Sequence, residues 1–337
     1  MSFLDRPCPV ICAPMAGAST PALAAAVSSA GGLGFLAAGY LSAAAMADEV
    51  AAYRALCDAP VAVNLFTPQV DRTLELAPSL AAYRATLEPV AARLGTTPGE
   101  PVHDTDAFEE KVAWLVANPV DAVSLTFGSV PPESVAALQA VGTRIGFTVT
   151  SAHEAQQAAG LGADFLIAQG FEAGGHRGPW NVSDVPNTLT AVEVTRAVAS
   201  ATGLPVMAAG GVDGPEAVRA LLAAGAESVA AGTLFLACEE SRAPAAHKAA
   251  LASGEFTSAV VTRAFSGRFA RALVNDFVRE YDGTAPSAYP NVHHMTKPIR
   301  AAAAAAGDVQ AMALWAGAGV GRARFTRAAE VVSALNG

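Results

Sequence analysis

Eight short apolar runs pace the first 240 residues: CPVICAPM (8–15), LGFLAAG (33–39), VAVNLF (61–66), AVSLTFG (122–128), RIGFTVT (144–150), ADFLIAQG (163–170), PVMAAGG (205–211) and ESVAAGTLF (227–235). None alternates polar with apolar positions, as expected of strands covered on both faces in a parallel sheet. Alanine-rich stretches with helical spacing lie between them, such as TPALAAAVSSAGG (20–32), PPESVAALQAVG (131–142), AHEAQQAAGLG (152–162) and GPEAVRALLAAG (214–225). Several open on Ser, Thr or Pro and end on Gly, the start and stop signals of helices. Eight strands, each followed by helical sequence, predict an α/β fold, the (β/α)8 TIM barrel. An open doubly wound sheet is the alternative.

The rhythm has two exceptions. Residues 68–120 exceed one connecting helix and carry two helical patterns, ELAPSLAAYRATLEPVAARLG and TDAFEEKVAWLVANP, which read as the third helix plus an extra one. After residue 240 the strand pattern stops, and LVNDFVREYDG, TKPIRAAAAAAG and FTRAAEVVSALNG predict a mostly helical tail. No Pro/Gly/Ser-rich linker separates it. The expected organisation is therefore a barrel over 1–240 with a helical insertion at about 68–120, and a helical lid region over 241–337 packed on it.

Composition narrows the functional classes. With 337 residues, 52% of them hydrophobic, the chain can bury a large core, and its net charge of −9 argues against nucleic-acid partners. Cys8, Cys12, Cys57 and Cys238 form no CxxC pair and no metal-type cluster, so reduced thiols in a cytoplasmic protein are expected. The start MSFLDRPCPVICAPM lacks the basic segment and cleavable apolar stretch of a leader, and no run reaches about 18 apolar residues, so no membrane span is expected.

In a barrel, chemistry sits just beyond the C-terminal ends of the strands. Gly210 and Gly211 follow the seventh run, and Gly232 and Thr233 close the eighth, ahead of helical sequence. Glycine lets backbone N–H groups approach an anion, and consecutive barrel positions of this kind suit a phosphate monoester, though tight turns alone would also use them. Asn64 and Gln169 end apolar strands, where an amide needs a partner: the edge of a planar heterocycle, or a loop to cap. Phosphate glycines with amides facing a flat ring point to flavin mononucleotide (FMN). GGLGFLAAG (31–39) mimics part of a dinucleotide fingerprint but precedes a strand, so it reads as a helix stop and turn.

QGFEAGGHRG (169–178) places His176 at the barrel mouth, where a neutral imidazole could act as a base or bind an anion. Gly174 and Gly175 would let the backbone pass close to a bound ring. Glu172 or a carbonyl could instead simply satisfy the histidine. His103, His153 and His247 fall in polar stretches and read as solvated. Tyr289, His293 and Lys297, spaced by four in YPNVHHMTKP, would share a helix face and could close over a small anion. Arg263, Arg268 and Arg271 read as salt bridges tying the tail to the barrel, or as a carboxylate site.

Over most of its length the chain also resembles the nitronate monooxygenases, the 2-nitropropane dioxygenase-like flavoproteins. The likeness rests on APMAGASTPALAAAVSSAGGLGFLAAGY, VNLF, VSLTFG, QGFEAGGHRG, PVMAAGGVDG with AAGTLFL, TRAFSGRFAR, and HHMTKPIRAAAAAAGD with LWAGAG, in fixed order. The STP, EAGGHRG and AAGG forms look like class I of that family. The resemblance implies a TIM barrel holding FMN without a covalent bond, flavin contacts at Met15, Asn64, Gln169, Gly174, Gly211 and Ala230 to Thr233, and His176 as catalytic residue. It further implies that Tyr289 and Lys297 line the substrate site.

The chain departs from the family pattern at three places. Ala230 and Ala231 stand where relatives often have Gln and a larger apolar residue. Thr126 stands where some carry a histidine, and His293 where an aromatic hydroxyl is expected. The implied activity is oxidation of an alkyl nitronate, for example propionate 3-nitronate, by O2 to a carbonyl compound and nitrite, in a monomer or homodimer. Rival readings are an FMN-dependent NAD(P)H:quinone or enoyl-thioester reductase, and a flavin-free phosphate-binding barrel.

Overall fold

A computed structural model describes residues 6–337, so the expectation read from the start MSFLD lies outside the described residues. Eight parallel strands close into a barrel: β1 (Val10–Cys12), β2 (Leu33–Ala37), β3 (Ala62–Phe66), β4 (Ala122–Thr126), β5 (Arg144–Val149), β6 (Phe165–Gln169), β8 (Val206–Ala209) and β9 (Ser228–Ala231), with β9 pairing back onto β1. All eight apolar runs of the sequence supply a strand, and the open-sheet alternative is excluded by this closure. The run LGFLAAG is β2, and the glycines before it make the turn that brings the chain in.

Helices flank the strands in the first part of the chain: α1 (Pro21–Ser29), α2 (Ala43–Leu56), α3 (Ala77–Arg93), α4 (Phe108–Ala117), α5 (Pro132–Ala140), α6 (Ala152–Gly160) and α7 (Ala191–Thr202). They are followed by α8 (Pro215–Ala223) and the single turn α9 (Thr233–Leu236). Their starts follow the sequence signals. Thr20, Ser42 and Ser151 each accept a first-turn N–H, and Thr190 with Glu193 forms a reciprocal capping box.

The strands are apolar throughout because each covers two cores. Inside the barrel Ile11, Leu33, Phe35, Phe165, Ile167 and Met207 pack with Ala62, Ala122 and Ala230, large against small. The opposite strand faces meet the helices, as where Val63, Leu65, Val123 and Leu125 pack against Val112, Leu115, Val135 and Leu138. The approach of α1 to β2 is especially close: a Cβ built on Gly34 would lie 2.3 Å from Ala24 Cα.

The tail is less helical than the sequence pattern predicts. Besides α10 (Ala245–Ser253), α11 (Asp276–Tyr281), α12 (Asn291–Ala306) and α13 (Ala328–Asn336), it holds two strands, β10 (Ala259–Thr262) and β11 (Ala270–Leu273). They pair antiparallel, and β11 also pairs with the two-residue β7 (Gly175–His176) from the loop after β6. The helical pattern LVNDFVREYDG accordingly starts in a strand and becomes helix only after Asn275, whose side chain caps α11. β1, β8 and β9 are as short but lie in longer apolar runs; β7, β10 and β11 are flanked or interrupted by Arg177, Arg263 and Arg271, which is why they escape a reading by pattern. The tail shares one apolar core with α3, where Leu80, Tyr83 and Leu87 join Phe265, Phe277, Val292 and Ile299.

No helix of the described residues is long and apolar enough to cross a membrane, and among them no cluster of His, Cys, Asp or Glu could hold a metal ion. The four cysteines are free.

Gly34→Ala should push α1 off β2, since the clash is with backbone rather than a movable side chain. Overpacking of this kind costs about 1–3 kcal/mol, so thermal unfolding should begin several degrees lower. An unchanged Tm would show that α1 can shift at no cost.

Candidate active site

The C-terminal strand ends open into one cavity of about 380 Å³, within the size range of small-molecule sites. It is lined by Met15, Asn64, Gln169, Gly174, Gly175, His176, Gly210, Gly211, Ala230, Ala231, Gly232 and Thr233. The candidate residues that close the strands thus converge. Glycine is required at several of them. Gly210 (φ +121°) and Gly211 (φ +68°) adopt backbone that other residues avoid, and a Cβ on Gly174 would lie 2.5 Å from Gly317 N.

Asn64 is set by two hydroxyls. Ser124 Oγ and Thr126 Oγ1 both donate to Asn64 Oδ1 at 2.8 Å, which fixes the amide orientation and leaves Nδ2 with no acceptor among the described residues. Thr126, one of the departures from the family pattern, therefore orients a neighbour from the cavity wall. Gln169 is spent differently. Its Oε1 accepts from Gly178 N (2.8 Å) and Arg177 Nε (3.2 Å), and its Nε2 donates to the His176 carbonyl (3.0 Å). Of the two readings of this residue, the loop-holding one describes its contacts.

His176 is pinned from both sides. Its backbone pairs with Ala270 of β11, and Arg177 N donates to Phe269 O. Its Nε2 lies 2.8 Å from Ser266 Oγ, which in turn can donate to Arg268 O at 3.2 Å. Phe127, Tyr289 and Trp315 surround the ring at centroid distances of 5.3–5.8 Å. Burial, reinforced by the charges of Arg268 and Arg300, lowers its pKa to about 3, so the imidazole is neutral at pH 7.

The trio Tyr289, His293 and Lys297 is not brought together at the cavity. Tyr289 precedes α12, which starts at Asn291, so the helical spacing does not apply to it. Tyr289 and His293 are buried behind the wall: the Tyr289 hydroxyl donates to Tyr40 OH at 3.3 Å, and the His293 ring stacks on Tyr40 at 4.0 Å. Lys297 is exposed. At 100° per residue, positions seven and eleven on return nearest to His293, and there Arg300 and Ala304 line the cavity.

Several site residues escape the sequence reading. Tyr40, Phe66 and Phe127 form an aromatic wall, with Tyr40 (φ 66°) and Phe127 (φ 89°) in left-handed backbone conformations rare for aromatic residues. Tyr40 is latched by its N–H to Asp106 Oδ1 (2.7 Å), and Asp106 pairs with the buried Lys111 (2.8 Å). Phe127 carries the Arg268 guanidinium 4.2 Å above its ring. Such residues look like ordinary apolar positions in a linear pattern.

Two other expectations fail. The tail arginines make no salt bridge among the described residues. Arg268 bonds to Pro179 O and Gln69 Oε1, Arg271 to Phe171 O and Ala259 O, and Arg263 to Ser287 Oγ. Arg268 and Arg271 meet backbone carbonyls and an amide oxygen, and Arg263 a hydroxyl, none of them a carboxylate. His247 is buried and lines the cavity, its Nε2 bonded to Trp315 O at 3.0 Å, because α10 turns its apolar face inward. Burial lowers its pKa to about 4. His293 is shifted down as well, by burial and then by Arg300. His153 is exposed, and His103 is half-buried.

Three imidazoles thus resist protonation in the fold while the unfolded chain takes up protons near 6.5. Stability should fall as pH drops below about 6.5, until His247 and His176 also protonate near 4 and 3. His247→Gln should flatten the Tm profile between pH 6.5 and 4.5. A wild-type Tm constant over that interval would contradict the burial argument.

Comparison with known proteins agrees with the geometry. A family model described as nitronate monooxygenase matches residues 3–336. A nitronate monooxygenase of Pseudomonas aeruginosa is 38% identical, covering 97% of this chain and 95% of its own. One of Paraburkholderia phytofirmans is 36% identical over 97% and 91%. Among solved structures, a nitroalkane oxidase of Streptomyces ansochromogenes superposes with a TM-score of 0.94 at 44% identity, covering 99% and 96%. FabK of Thermotoga maritima is more distant, with a TM-score of 0.76 and 25% identity over 99% and 93%. The barrel, the cavity at its mouth and these full-length matches show that the chain belongs to the nitronate monooxygenase family of oxidoreductases.

Proposed function

We propose that this protein binds FMN at the barrel mouth and oxidises alkyl nitronates with O2, giving a carbonyl compound and nitrite. The observation that carries the reading is one cavity combining three things. On the β8–β9 side, Gly211, Val212 and Gly232 line it with N–H groups that find no acceptor among the described residues, and Gly214 precedes α8 without a side-chain cap. In the middle is the unpartnered Nδ2 of Asn64. Opposite stands the neutral His176. The donors fit a phosphate and the edge of a flavin ring, while Met15, Ala230 and Ala231 add apolar lining and Thr233 Oγ1 accepts from Gly317 N. The Ala230–Ala231 pair leaves only backbone and methyl contacts there.

FMN, when bound, supplies the electron-accepting chemistry; the chain's own residues supply position and protons. Ser266 has one proton for two acceptors. When it donates to Arg268 O, His176 carries its proton on Nε2, and Nδ1 is a base for the acidic carbon of a neutral nitroalkane. When it donates to His176 Nε2, Nδ1–H becomes a donor to a nitronate oxygen. Trp315, Phe127 and Phe66 exclude water around the reacting atoms. The loop set by Gln169 holds the imidazole at a fixed height above the cavity floor.

His176→Asn should keep its flavin and lose nitrite production from ethylnitronate by about 10²- to 10⁴-fold, the usual contribution of a positioned acid–base group. Nitrite released and O2 consumed, measured on both proteins, check this. Wild-type turnover in the variant would remove His176 from the reaction. A colourless wild-type protein that takes up no FMN would favour the flavin-free barrel.

A further inference from the structure

We propose that Arg300 is the group that holds the anionic end of the substrate and makes the site prefer a nitronate anion to the neutral nitroalkane. This rests on the nitronate reading above and assigns a residue that neither the sequence pattern nor the resemblance singles out.

Arg300 is the only Lys or Arg among the residues lining the cavity, and Glu172 the only carboxylate. The two do not pair: Glu172 Oε2 accepts from Ala191 N, and none of the ion pairs among the described residues includes Arg300. Arg300 is half-buried, and a guanidinium partly withdrawn from water without a counter-ion is costly unless a ligand completes it. The arginine is nevertheless rigid. Its Nε donates to Thr296 Oγ1 at 3.1 Å, and its Nη2 meets His293 Nδ1 at 3.2 Å and His293 O at 3.0 Å. Those three bonds leave Nη1 with no partner among the described residues, although it belongs to a side chain on the cavity wall.

The supports of Arg300 lead back to the aromatic wall. His293 accepts through Nδ1 and stacks on Tyr40 at an interplanar angle of 11°. Thr296 donates to Phe265 O. Arg300 is therefore on the side of the cavity lined by Phe66 of β3 and by Tyr40 and Phe127 in the loops after β2 and β4, whereas the phosphate-type N–H groups lie by β8 and β9. The two anion-binding features are separate. A nitronate is planar and spreads its charge over two oxygens, which matches the flat donor edge of a guanidinium, and its alkyl group would rest on the rings.

Lys297, the cation expected from the spacing, is exposed, so Arg300 takes the role given to it.

The test compares wild type, Arg300→Met and Arg300→Lys with ethylnitronate and with nitroethane, using nitrate as a planar anion that cannot react. Losing a hydrogen bond to a charged group should raise KM for ethylnitronate roughly 10- to 150-fold in Arg300→Met, with a much smaller change in kcat. The preference for nitronate over nitroethane should fall by a similar factor. Nitrate should compete with ethylnitronate and raise the Tm of wild type, and both effects should disappear in Arg300→Met. Arg300→Lys should recover part of them.

An unchanged KM together with undiminished nitrate inhibition in flavin-retaining Arg300→Met overturns the proposal. If that variant does not fold, Arg300→Lys decides: an unchanged KM there, or a wild type that nitrate neither inhibits nor stabilises, overturns it. A wild type that nitrate stabilises in an Arg300-dependent way but that ignores nitronates would refute the nitronate reading and leave the anion site standing.

Discussion

Everything at the mouth of this barrel depends on a two-residue strand. Loops after barrel strands are usually mobile, yet the one carrying His176 is tied at its backbone to β11 and at its carbonyl to Gln169. The pairing makes the tail part of the site, since β11 is anchored by the same apolar core that joins Phe265 and Phe277 to α3. Ser266 and Arg268, which contact His176 and Phe127, lie in the turn leading into that strand. A separate lid would leave these contacts to chance. A strand crossing from barrel to tail fixes them.

Around this pin the charge distribution is lopsided. Arg268 and Arg300 are held beside aromatic rings and carbonyls without carboxylate partners; burial first, and then these charges (both at His176, Arg300 at His293), keep the two imidazoles unprotonated. Uncompensated positive charge in a confined space favours anions and disfavours a second cation, including an imidazolium. The strained Tyr40 and Phe127 backbones belong to the same arrangement, because the Asp106–Lys111 pair and the Arg268 stack hold the rings where an apolar substituent would lie.

The barrel was legible because its strands are buried on both faces and announce themselves as unbroken apolar runs. The residues after those runs were legible for the same reason, since a polar amide or a glycine pair at such a place has few structural uses. What stayed hidden depends on three dimensions. β7, β10 and β11 are not set in long apolar runs, and the φ of Tyr40 or Phe127 leaves no mark in composition. Arg300 was masked by Lys297: a spacing of four suggests one helix face, but the register of α12 brings the seventh residue, not the fourth, to the cavity. His247 reads as solvated because Lys248 follows it and the charged stretch EESR precedes its helix, while α10 buries it. The guanidinium groups of the tail looked like salt-bridge partners because charge alone cannot distinguish a carboxylate from a row of carbonyl oxygens.

Anaerobic mixing of the purified protein with ethylnitronate or with NADH, followed by visible absorbance, decides whether the proposed flavin takes electrons from a nitronate rather than from a nicotinamide. Rapid loss of flavin absorbance with ethylnitronate and a far slower response to NADH is the predicted result. Rapid bleaching by NADH with no response to ethylnitronate would contradict the account and assign the cavity to a reductase.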